Sequence, residues 1–276
     1  MSMKNFFNPK SIAIVGASRQ KGKVGYEILI NVIGAGYDGE IFPVNPKTDT
    51  IEELKCYPDL KSIGKIPDLV VIIIPAKFVT AMMQDCAKVG VKSVIIITAG
   101  FKEVGEEGRE LEKKVVHIAG QAGIRIIGPN CLGVIAPANK LNASFGGDLP
   151  AEGVIGYLSQ SGALLAAILD MANANSIGFS KLVSIGNKAD VDELDLIKAL
   201  GEDKDTKVIA GYLESITDGN AFVNQAERIS HYKPILLMKS GGTQAGAQAA
   251  ILSYRESGRQ RDGVRMCFRT RRDYPV

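Results

Sequence analysis

The chain has 276 residues, 46% of them hydrophobic and 23% charged, which is enough apolar content for a buried core in two domains. The formal net charge of +3 is unevenly placed, because residues 251–276 carry +4 and leave −1 for the first 250 residues. Those 250 residues lack a basic patch with interleaved aromatics, and no apolar run reaches membrane-spanning length, so neither nucleic acid nor a membrane is an expected partner.

Short β-branched runs alternate with amphipathic helical stretches through the first half of the chain. The predicted strands are SIAIVGAS, EIFPVN, DLVVIIIPA, KSVIIITAG and IRIIGPN. Because these runs are apolar throughout, they indicate strands buried on both faces of a parallel sheet. The predicted helices KVGYEILINVIGAG, AKFVTAMMQDCAKVG and EEGRELEKKVVHIAGQAG end at glycines, as helices often do. Residues 1–128 are therefore predicted to form an α/β domain with a doubly wound parallel sheet.

The loop GASRQKGKVG joins the first strand to the first helix and contains Gly16, Gly22 and Gly25. Backbone N–H groups and the helix dipole at such a turn can bind phosphate. The spacing is not GxGxxG, and the second strand ends in PVNPK instead of the acid that binds a ribose, which disfavours NAD. Asn45 and Lys47 suit an additional phosphate, such as the one on the ribose of coenzyme A; an empty tight turn is the alternative.

Three further strand ends fall on the same edge of the predicted sheet: residues 74–76, 98–101 and 128–130. Their small residues and prolines leave room for a groove that could take an elongated ligand, since ligands bind at the carboxyl ends of parallel strands. Each triplet taken alone is also typical of an ordinary turn.

The second half of the chain repeats the β–α alternation after a stretch rich in proline, glycine and asparagine. Residues 129–150 are predicted to be a linker with one short strand. Residues 151–250 are predicted to form a second parallel sheet of flavodoxin-like style, with strands GVIGYLS, KLVSIG, KVIAGYLES and KPILLMKS.

Two features of this second domain could carry chemistry. In SQSGAL, a strand ends and a helix begins, so Ser161 and the free N–H groups near Gly162 could hold an anion, although simple N-capping would look the same. Glu214 follows a buried strand, where it could orient a catalytic imidazole or merely reach solvent at a loop.

Histidine and cysteine offer little further chemistry. His117 lies on a helix and His231 ends one on the side opposite the ligand edge, so both are expected to be structural. The four cysteines lack metal-binding or CxxC spacing, so we expect small buried hydrophobes, no metal and a reducing cytoplasm; they are Cys56, Cys86, Cys131 and Cys267. The N-terminal sequence also lacks the apolar stretch of a signal peptide.

Several motifs together make the chain resemble the alpha subunit, or alpha-like half, of ADP-forming acyl-CoA synthetases, relatives of succinyl-CoA synthetase. The resemblance covers residues 4–250 and is carried by PKSIAIVGAS, GKVGYEIL, IFPVNPK, CYPDL, TAGFKEVGEEG, GPNCLG, SQSGAL and KSGGTQAGAQAA. It implies a Rossmann-like CoA-binding domain followed by a flavodoxin-like domain of succinyl-CoA synthetase type.

The resemblance also implies roles for individual residues. The residues implied to bind CoA are Gly16, Ser18, Lys23, Val24, Gly25, Pro43, Asn45, Lys47, Ile74, Pro75, Ala76, Ala99, Gly100 and Asn130. Ser161 and Gly162 would hold phosphate, and Glu214 would steady an active-site histidine that is transiently phosphorylated. ATP or ADP with Mg would be bound by an ATP-grasp beta subunit or domain, and a homo-oligomer is a further possibility.

The family's histidine has no match here, because the family continues with a string like SSHTGSLAGS where this chain has ILSYRESGRQ. With a suitable choice of codons for ILSYRESGRQ, a shift of the reading frame by one base gives SSHTGSLAG. Residues 251–276 also hold seven arginines and no lysine, against four arginines before them. Our hypothesis is that residues 251–276 are translated out of frame and that the phosphorylatable histidine is lost.

Three functions are compatible with these observations. The first is the CoA-binding part of an ADP-forming acyl-CoA synthetase, which interconverts acyl-CoA, ADP and phosphate with acid, CoA and ATP. The second is a non-catalytic CoA-binding or CoA-sensing module, and the third is an NAD-dependent oxidoreductase.

Overall fold

The computed structural model describes residues 3–240. Its strands are β1 (Ser11–Val15), β2 (Glu40–Val44), β3 (Thr50–Ile51), β4 (Leu54–Lys55), β5 (Leu69–Ile72), β6 (Ser93–Ile96), β7 (Arg125–Ile127), β8 (Gly133–Ala136), β9 (Leu141–Ser144), β10 (Glu152–Ser159), β11 (Phe179–Ser184), β12 (Val208–Leu213) and β13 (Ile235–Lys239). Its α-helices are α1 (Lys4–Phe7), α2 (Val24–Gly34), α3 (Ala76–Val89), α4 (Glu106–Ala122), α5 (Gly162–Ala174), α6 (Glu193–Glu202) and α7 (Gly219–Ser230). Short 3₁₀ turns occupy Lys61–Ile63, Lys102–Val104 and Pro137–Asn139. The tail hypothesis for residues 251–276 falls outside the described residues, as does Cys267.

The first sheet is parallel and has the strand order β2-β1-β5-β6-β7, which confirms the predicted Rossmann-like fold class. All four residues of β5 and of β6 are buried, as expected for strands covered on both faces. Chain order reverses at β1, which pairs with β2 on one side and β5 on the other. In open α/β sheets, such a switch point marks the ligand crevice.

The second sheet has the order β13-β12-β10-β11-β8-β9, with β10 at its own switch point between β11 and β12. The prediction of a parallel second sheet preceded by a linker with one strand is wrong in one respect. Residues 133–144 form a hairpin, β8 and β9, that adds antiparallel to β11, so this sheet is mixed. The hairpin bends at Pro137–Asn139 and at Lys140, whose φ of 50° is left-handed.

Glycine and aspartate set the ends of several helices. Helices α3 and α4 stop at Gly90 and Gly123, both left-handed, as the glycine pattern predicted. Asp192 and Asp218 begin α6 and α7 by accepting backbone N–H bonds on their side chains. No helix within residues 3–240 has both the length and the apolar character needed to cross a membrane.

The two sheets are joined through buried contacts. One apolar core runs through both, from Ile12 and Ile14 of β1 to Leu158 of β10 and Val183 of β11. The β8–β9 hairpin packs on α2, where the Asn31 side-chain amide donates to the carbonyl of a β9 serine at 2.9 Å. Residues 187–191, which follow β11, give three backbone hydrogen bonds to residues 126–129 at the edge strand β7.

Candidate functional site

A cleft of about 1410 Å³ opens where the two switch points face each other. Its first side is built by loops that follow β1, β2, β5, β6 and β7, and its second side by the loop after β10 and the start of α5. Twelve of the predicted site residues line it: Gly16, Ser18, Lys23, Val24, Gly25, Asn45, Lys47, Ile74, Pro75, Ala99, Asn130 and Gly162. The fold therefore brings residues from both predicted domains to one cavity.

The floor of the cleft is the glycine loop between β1 and α2. Gly16 has a φ of +94°, and a Cβ placed on it would lie 2.7 Å from the Ile73 carbonyl oxygen. Helix α2 begins after Lys23, which is extended and makes no side-chain cap. Because the first N–H groups of a helix lack intrahelical partners, the start of α2 offers donors to a bound anion.

Charge in the cleft is positive. Lys23 and Lys47 line it, and none of its lining residues within the described chain is an aspartate or a glutamate. Lys47 is exposed at the end of β2 and forms no ion pair within residues 3–240. Two cations without a compensating carboxylate favour a ligand that carries several negative charges.

The Asn45 side chain lines the cleft and also bonds to the protein through both atoms of its amide. Its Nδ2 donates to the Ala17 carbonyl at 2.7 Å, and its Oδ1 accepts from the Lys47 backbone N–H at 2.9 Å. Asn45 therefore ties the loop after β2 to the glycine loop and holds Lys47 at the cleft.

The loops after β5, β6 and β7 form one wall. The Thr98 hydroxyl donates to the Ile74 carbonyl at 2.7 Å, and the Asn130 backbone N–H donates to the Thr98 carbonyl at 3.0 Å. Asn130 is left-handed with a φ of 57°, a conformation that asparagine tolerates better than most residues. These bonds link the three strand-end loops into one surface.

Apolar side chains that the sequence did not single out line much of the cleft. Phe78 of α3 is 52% exposed, and Phe145, which follows β9, is 40% exposed. Met82 and Leu132 add further apolar surface to the lining. Exposed aromatic rings at a cavity are a signature of ligand contact, because water solvates them poorly.

At the start of α5, the Ser161 side chain caps the helix, as simple N-capping would require. Its hydroxyl oxygen accepts from the Leu164 backbone N–H at 3.2 Å, while Gly162 and Ala163 line the cleft. Gln160, missed by sequence reasoning, lines the cleft although it is only 8% exposed. Its one sequence signal is its place between two serines at a strand end.

Gln160 connects the α5 end of the cleft to the loop that carries Glu214. Its Oε1 accepts from the backbone N–H groups of Glu214 and Ser215 at 2.5 and 2.9 Å, and its Nε2 donates to the Ser215 hydroxyl at 3.2 Å. The fully buried Glu193 accepts from the Thr217 N–H and from Lys188 Nζ in the same region. The loop after β12 is therefore firmly held.

Glu214 is half-buried beside this loop, and burial raises the pKa of its carboxyl above the usual range. The cations of Lys239 and Lys188 oppose that rise in pKa without cancelling it. Burial likewise lowers the pKa of Lys239, whose ammonium donates to the Glu214 carbonyl at 2.9 Å. A carboxyl with a raised pKa and no hydrogen-bonding partner for its oxygens among residues 3–240 is suited to a role toward another group.

Five predicted site residues lie outside the cleft lining. Pro43 is buried within β2 opposite Ile14. Gly100 faces Ala76, so that an added Cβ would lie 3.1 Å from the Ala76 Cβ, and neither reaches the cavity. Ser161 points its oxygen back into α5, and Glu214 lies behind Gln160.

Neither histidine lines the cleft, and of the cysteines within residues 3–240 only Cys131 does. His117 and His231 are exposed and line no part of the described cavity. Cys56, Cys86 and Cys131 are unpaired and buried, as predicted. Burial raises the pKa of Cys86 and of Cys131 to about 12, so both remain thiols at neutral pH.

Comparison with known proteins assigns both halves of the chain. Residues 10–137 match the family described as a CoA binding domain, and residues 152–271 match the succinyl-CoA ligase like flavodoxin domain. The chain therefore joins a CoA binding domain to a succinyl-CoA ligase like domain.

Within that class, the chain is homologous to the alpha subunit of ADP-forming acetate–CoA ligases. It is 43% identical over 254 residues to the ADP-forming acetate–CoA ligase I subunit alpha of Pyrococcus furiosus, covering 91% of this chain and 55% of the relative. It is 47% identical over 248 residues to an ADP-forming acetate–CoA ligase of Methanocaldococcus jannaschii, covering 90% of this chain and 34% of the relative.

A solved structure shows the same fold. The dinucleotide-forming acetyl-CoA synthetase 1 of Candidatus Korarchaeum cryptofilum, in complex with phosphate and ADP, superposes with a TM-score of 0.88 at 41% identity. The match covers 91% of this chain and 54% of that one. The chain thus spans about half the length, or less, of these three relatives.

Proposed function

We propose that the cleft binds coenzyme A and that the chain is the CoA-binding, alpha-type part of an ADP-forming acyl-CoA synthetase. The observation that carries the proposal is the lining of the cleft, which holds Lys23, Lys47 and the uncapped start of α2 and, within residues 3–240, no carboxylate. A diphosphate matches the N–H groups and the dipole at that helix end, and a further phosphate matches the ammonium group of Lys47.

The dimensions and the apolar walls also fit coenzyme A. The cleft exceeds the roughly 300–1,000 Å³ of ordinary small-molecule pockets, as an elongated nucleotide ligand requires. Phe78 and Met82 offer apolar surface to the pantetheine arm. An NAD-binding site would need an acid at the end of β2 to bind the ribose, and that position carries Asn45.

The far end of the cleft suits the phosphate of the proposed reaction, in which acyl-CoA, ADP and phosphate are interconverted with a carboxylic acid, CoA and ATP. Gly162 and Ala163 offer N–H groups at the start of α5, where the helix dipole favours an anion. The hydroxyl of Ser161 retains its proton for donation while its oxygen caps the helix. Glu214, with its raised pKa, would accept a hydrogen bond from a histidine ring supplied to this end.

The proposed partner is an ATP-grasp beta subunit or domain that binds ATP or ADP with Mg. The Pyrococcus furiosus relative is named as a subunit alpha, which supports the need for a second subunit. A cytoplasmic location completes the proposal, because the unpaired cysteines Cys56, Cys86 and Cys131 suit a reducing compartment.

Isothermal titration of the purified chain with CoA and with NAD tests the proposal. We expect saturable heat with CoA at one site and no heat with NAD. Dephospho-CoA should bind more weakly than CoA, because it lacks the phosphate assigned to Lys47. Binding of NAD in preference to CoA would overturn the assignment.

A further inference from the structure

Asn187 lies at the junction of the two sheets and is 1% exposed. It follows β11 and belongs to the segment that pairs with the edge of β7. Its Nδ2 donates to Glu103 Oε2 at 2.6 Å and to Glu112 Oε2 at 2.9 Å. Its backbone carbonyl accepts from Lys102 Nζ at 2.6 Å, and its backbone N–H donates to the Pro129 carbonyl at 2.8 Å.

Two of these contacts lead to the wall of the cleft. Asn187 Oδ1 accepts from Asn130 Nδ2 at 3.3 Å, and Asn130 lines the cavity. Glu103, which Asn187 holds through Oε2, uses Oε1 to accept the backbone N–H groups of Gly100 and Phe101 at 2.5 and 3.1 Å. Those N–H groups shape the loop that presents Ala99 to the cleft.

The hydrogen bonds that Glu103 accepts outweigh the cost of burying its charge. Burial alone would raise the pKa of its carboxyl, but hydrogen bonds from Asn187 and from the Gly100 and Phe101 N–H groups lower that pKa below its usual value. A neutral amide donor between two carboxylates satisfies both of them without adding a charge to the buried junction.

We propose that Asn187 is a positioning residue for the cleft: the second domain uses its side chain to fix the strand-end loops of the first domain that contact the ligand. This inference rests on the proposed function, because the ligand is taken to be CoA. It means that the CoA site depends on a residue from the second domain that does not itself line the cavity.

A matched control is available in another polar contact between the same domains. Arg125 of β7 donates from Nε to Asp190 at 2.9 Å and from Nη2 to Asp195 at 2.5 Å. Within residues 3–240, none of these three side chains lines the cleft or forms a hydrogen bond or ion pair with a residue that does. Removing this ion pair should weaken the domain junction and leave the ligand loops in place.

The experiment compares the wild type with four variants: Asn187→Ala, Asn187→Asp, Glu103→Gln and Arg125→Ala. The melting temperature of each protein is measured first, and its CoA affinity is then measured by isothermal titration well below that temperature. We expect about tenfold weaker CoA binding for the Asn187 variants and for Glu103→Gln, since each breaks charge-assisted bonds. Arg125→Ala should melt earlier yet bind CoA within about twofold of the wild type.

A pH profile separates positioning from general destabilisation. The charged groups facing position 187 are Glu103, Glu112 and Lys102, while the neighbouring Lys188 is directed to Glu193. Two carboxylates raise the pKa of a carboxyl introduced at 187, and its neutral form can donate again. The loss of CoA affinity in Asn187→Asp relative to the wild type should therefore shrink from about tenfold at pH 7.5 to about threefold near pH 5.5.

Each result decides the matter. If the wild type binds CoA and the Asn187 and Glu103 variants bind it with the same affinity, this inference is overturned and the proposed function stands. A loss in Arg125→Ala as large as in Asn187→Ala, or a deficit of Asn187→Asp that ignores pH, overturns it as well. Absence of CoA binding by the wild type overturns the proposed function and, with it, the role of Asn187.

Discussion

Gly25 lies so close to the backbone of Gly16 that a Cβ added at Gly25 would be 2.1 Å from the Gly16 carbonyl oxygen. That approach brings the start of α2 against the loop after β1, where the proposed diphosphate binds. Gly25→Ala should therefore push the helix away from the loop. We expect the free energy of unfolding to fall by about 2 kcal/mol, as overpacking usually costs, and CoA affinity to fall more than tenfold.

Gly34, in the last turn of the same helix, is the matched control, because an added Cβ there meets no atom within 4 Å. Gly34→Ala should leave CoA binding unchanged and alter stability by less than about 1 kcal/mol. Urea denaturation and titration calorimetry measure both quantities. Equal effects of the two alanines would show that the close approach at Gly25 is not what matters.

Lys47 is exposed at the mouth of the cleft, so its removal should affect the ligand more than the fold. Lys47→Ala should weaken CoA binding by roughly fivefold at low salt and less at 0.5 M salt, because screening reduces the contribution of an exposed charge. Dephospho-CoA should bind equally to wild type and variant. Lys61→Ala, which removes an exposed lysine outside the cleft, should leave CoA affinity as it was.

Phe145, which follows β9 of the second sheet, extends the apolar lining of the cleft and is 40% exposed. Phe145→Ala should weaken CoA binding by roughly fivefold, because a ring that covers the ligand is lost, with less than about 1 kcal/mol lost in stability. The aromatic control is Tyr232, which is 61% exposed and away from the cavity. If Tyr232→Ala weakened CoA binding to the same extent, the assignment of Phe145 would fail.

Glu214 should destabilise the native state at neutral pH. Its pKa is raised in the fold, so the ionised form is disfavoured relative to the unfolded chain above that pKa. Glu214→Gln should therefore stabilise the protein at pH 7 by on the order of 0.5 kcal/mol, a modest value because the group is half-exposed. The gain should disappear as pH falls through the raised pKa and both forms become neutral.

Asp203, at the end of α6 in the same half of the chain, shows a pKa shift of the opposite sign. Burial would raise the pKa of its carboxyl, but hydrogen bonds from Lys181 and Thr206 lower it overall. Its contribution to stability is thus present above the unfolded pKa and lost as pH falls through the folded one. Asp203→Asn should destabilise at pH 7 and approach the wild type near pH 3. The free energy of unfolding of each variant is measured from pH 3 to 7. If Glu214→Gln and Asp203→Asn both raised it or both lowered it at pH 7, the opposite pKa shifts of the two carboxyls would be contradicted.

The first sheet could be predicted because each strand is a continuous apolar run and the helices after it end at glycines such as Gly90 and Gly123. The β8–β9 hairpin could not. Its strands have four residues each, and β8 joins the sheet by antiparallel pairing with Leu182 and Val183, almost fifty residues further along the chain. Local periodicity carries no information about such a partner.

The site shows the same division between local and distant signals. The positions of Gly16, Lys23 and Lys47 in the cleft could be predicted, because the residues next to them in the sequence mark loops at strand ends. The bond from the Asn45 amide to Ala17, 28 residues away, could not be predicted, because only the fold brings these two residues together. Phe145 could not be found in the sequence, because its place in the cavity depends on how the two domains pack.

Residues 187–191 have a protective consequence for the molecule. By bonding to Ile126, Gly128 and Pro129, they cover the outer margin of β7, which would otherwise offer unpaired backbone groups to any passing strand. A fragment cut near residue 128 would expose that margin and would recruit copies of itself into larger assemblies. The second half of the chain therefore covers a strand edge of the first half with which another copy could otherwise pair.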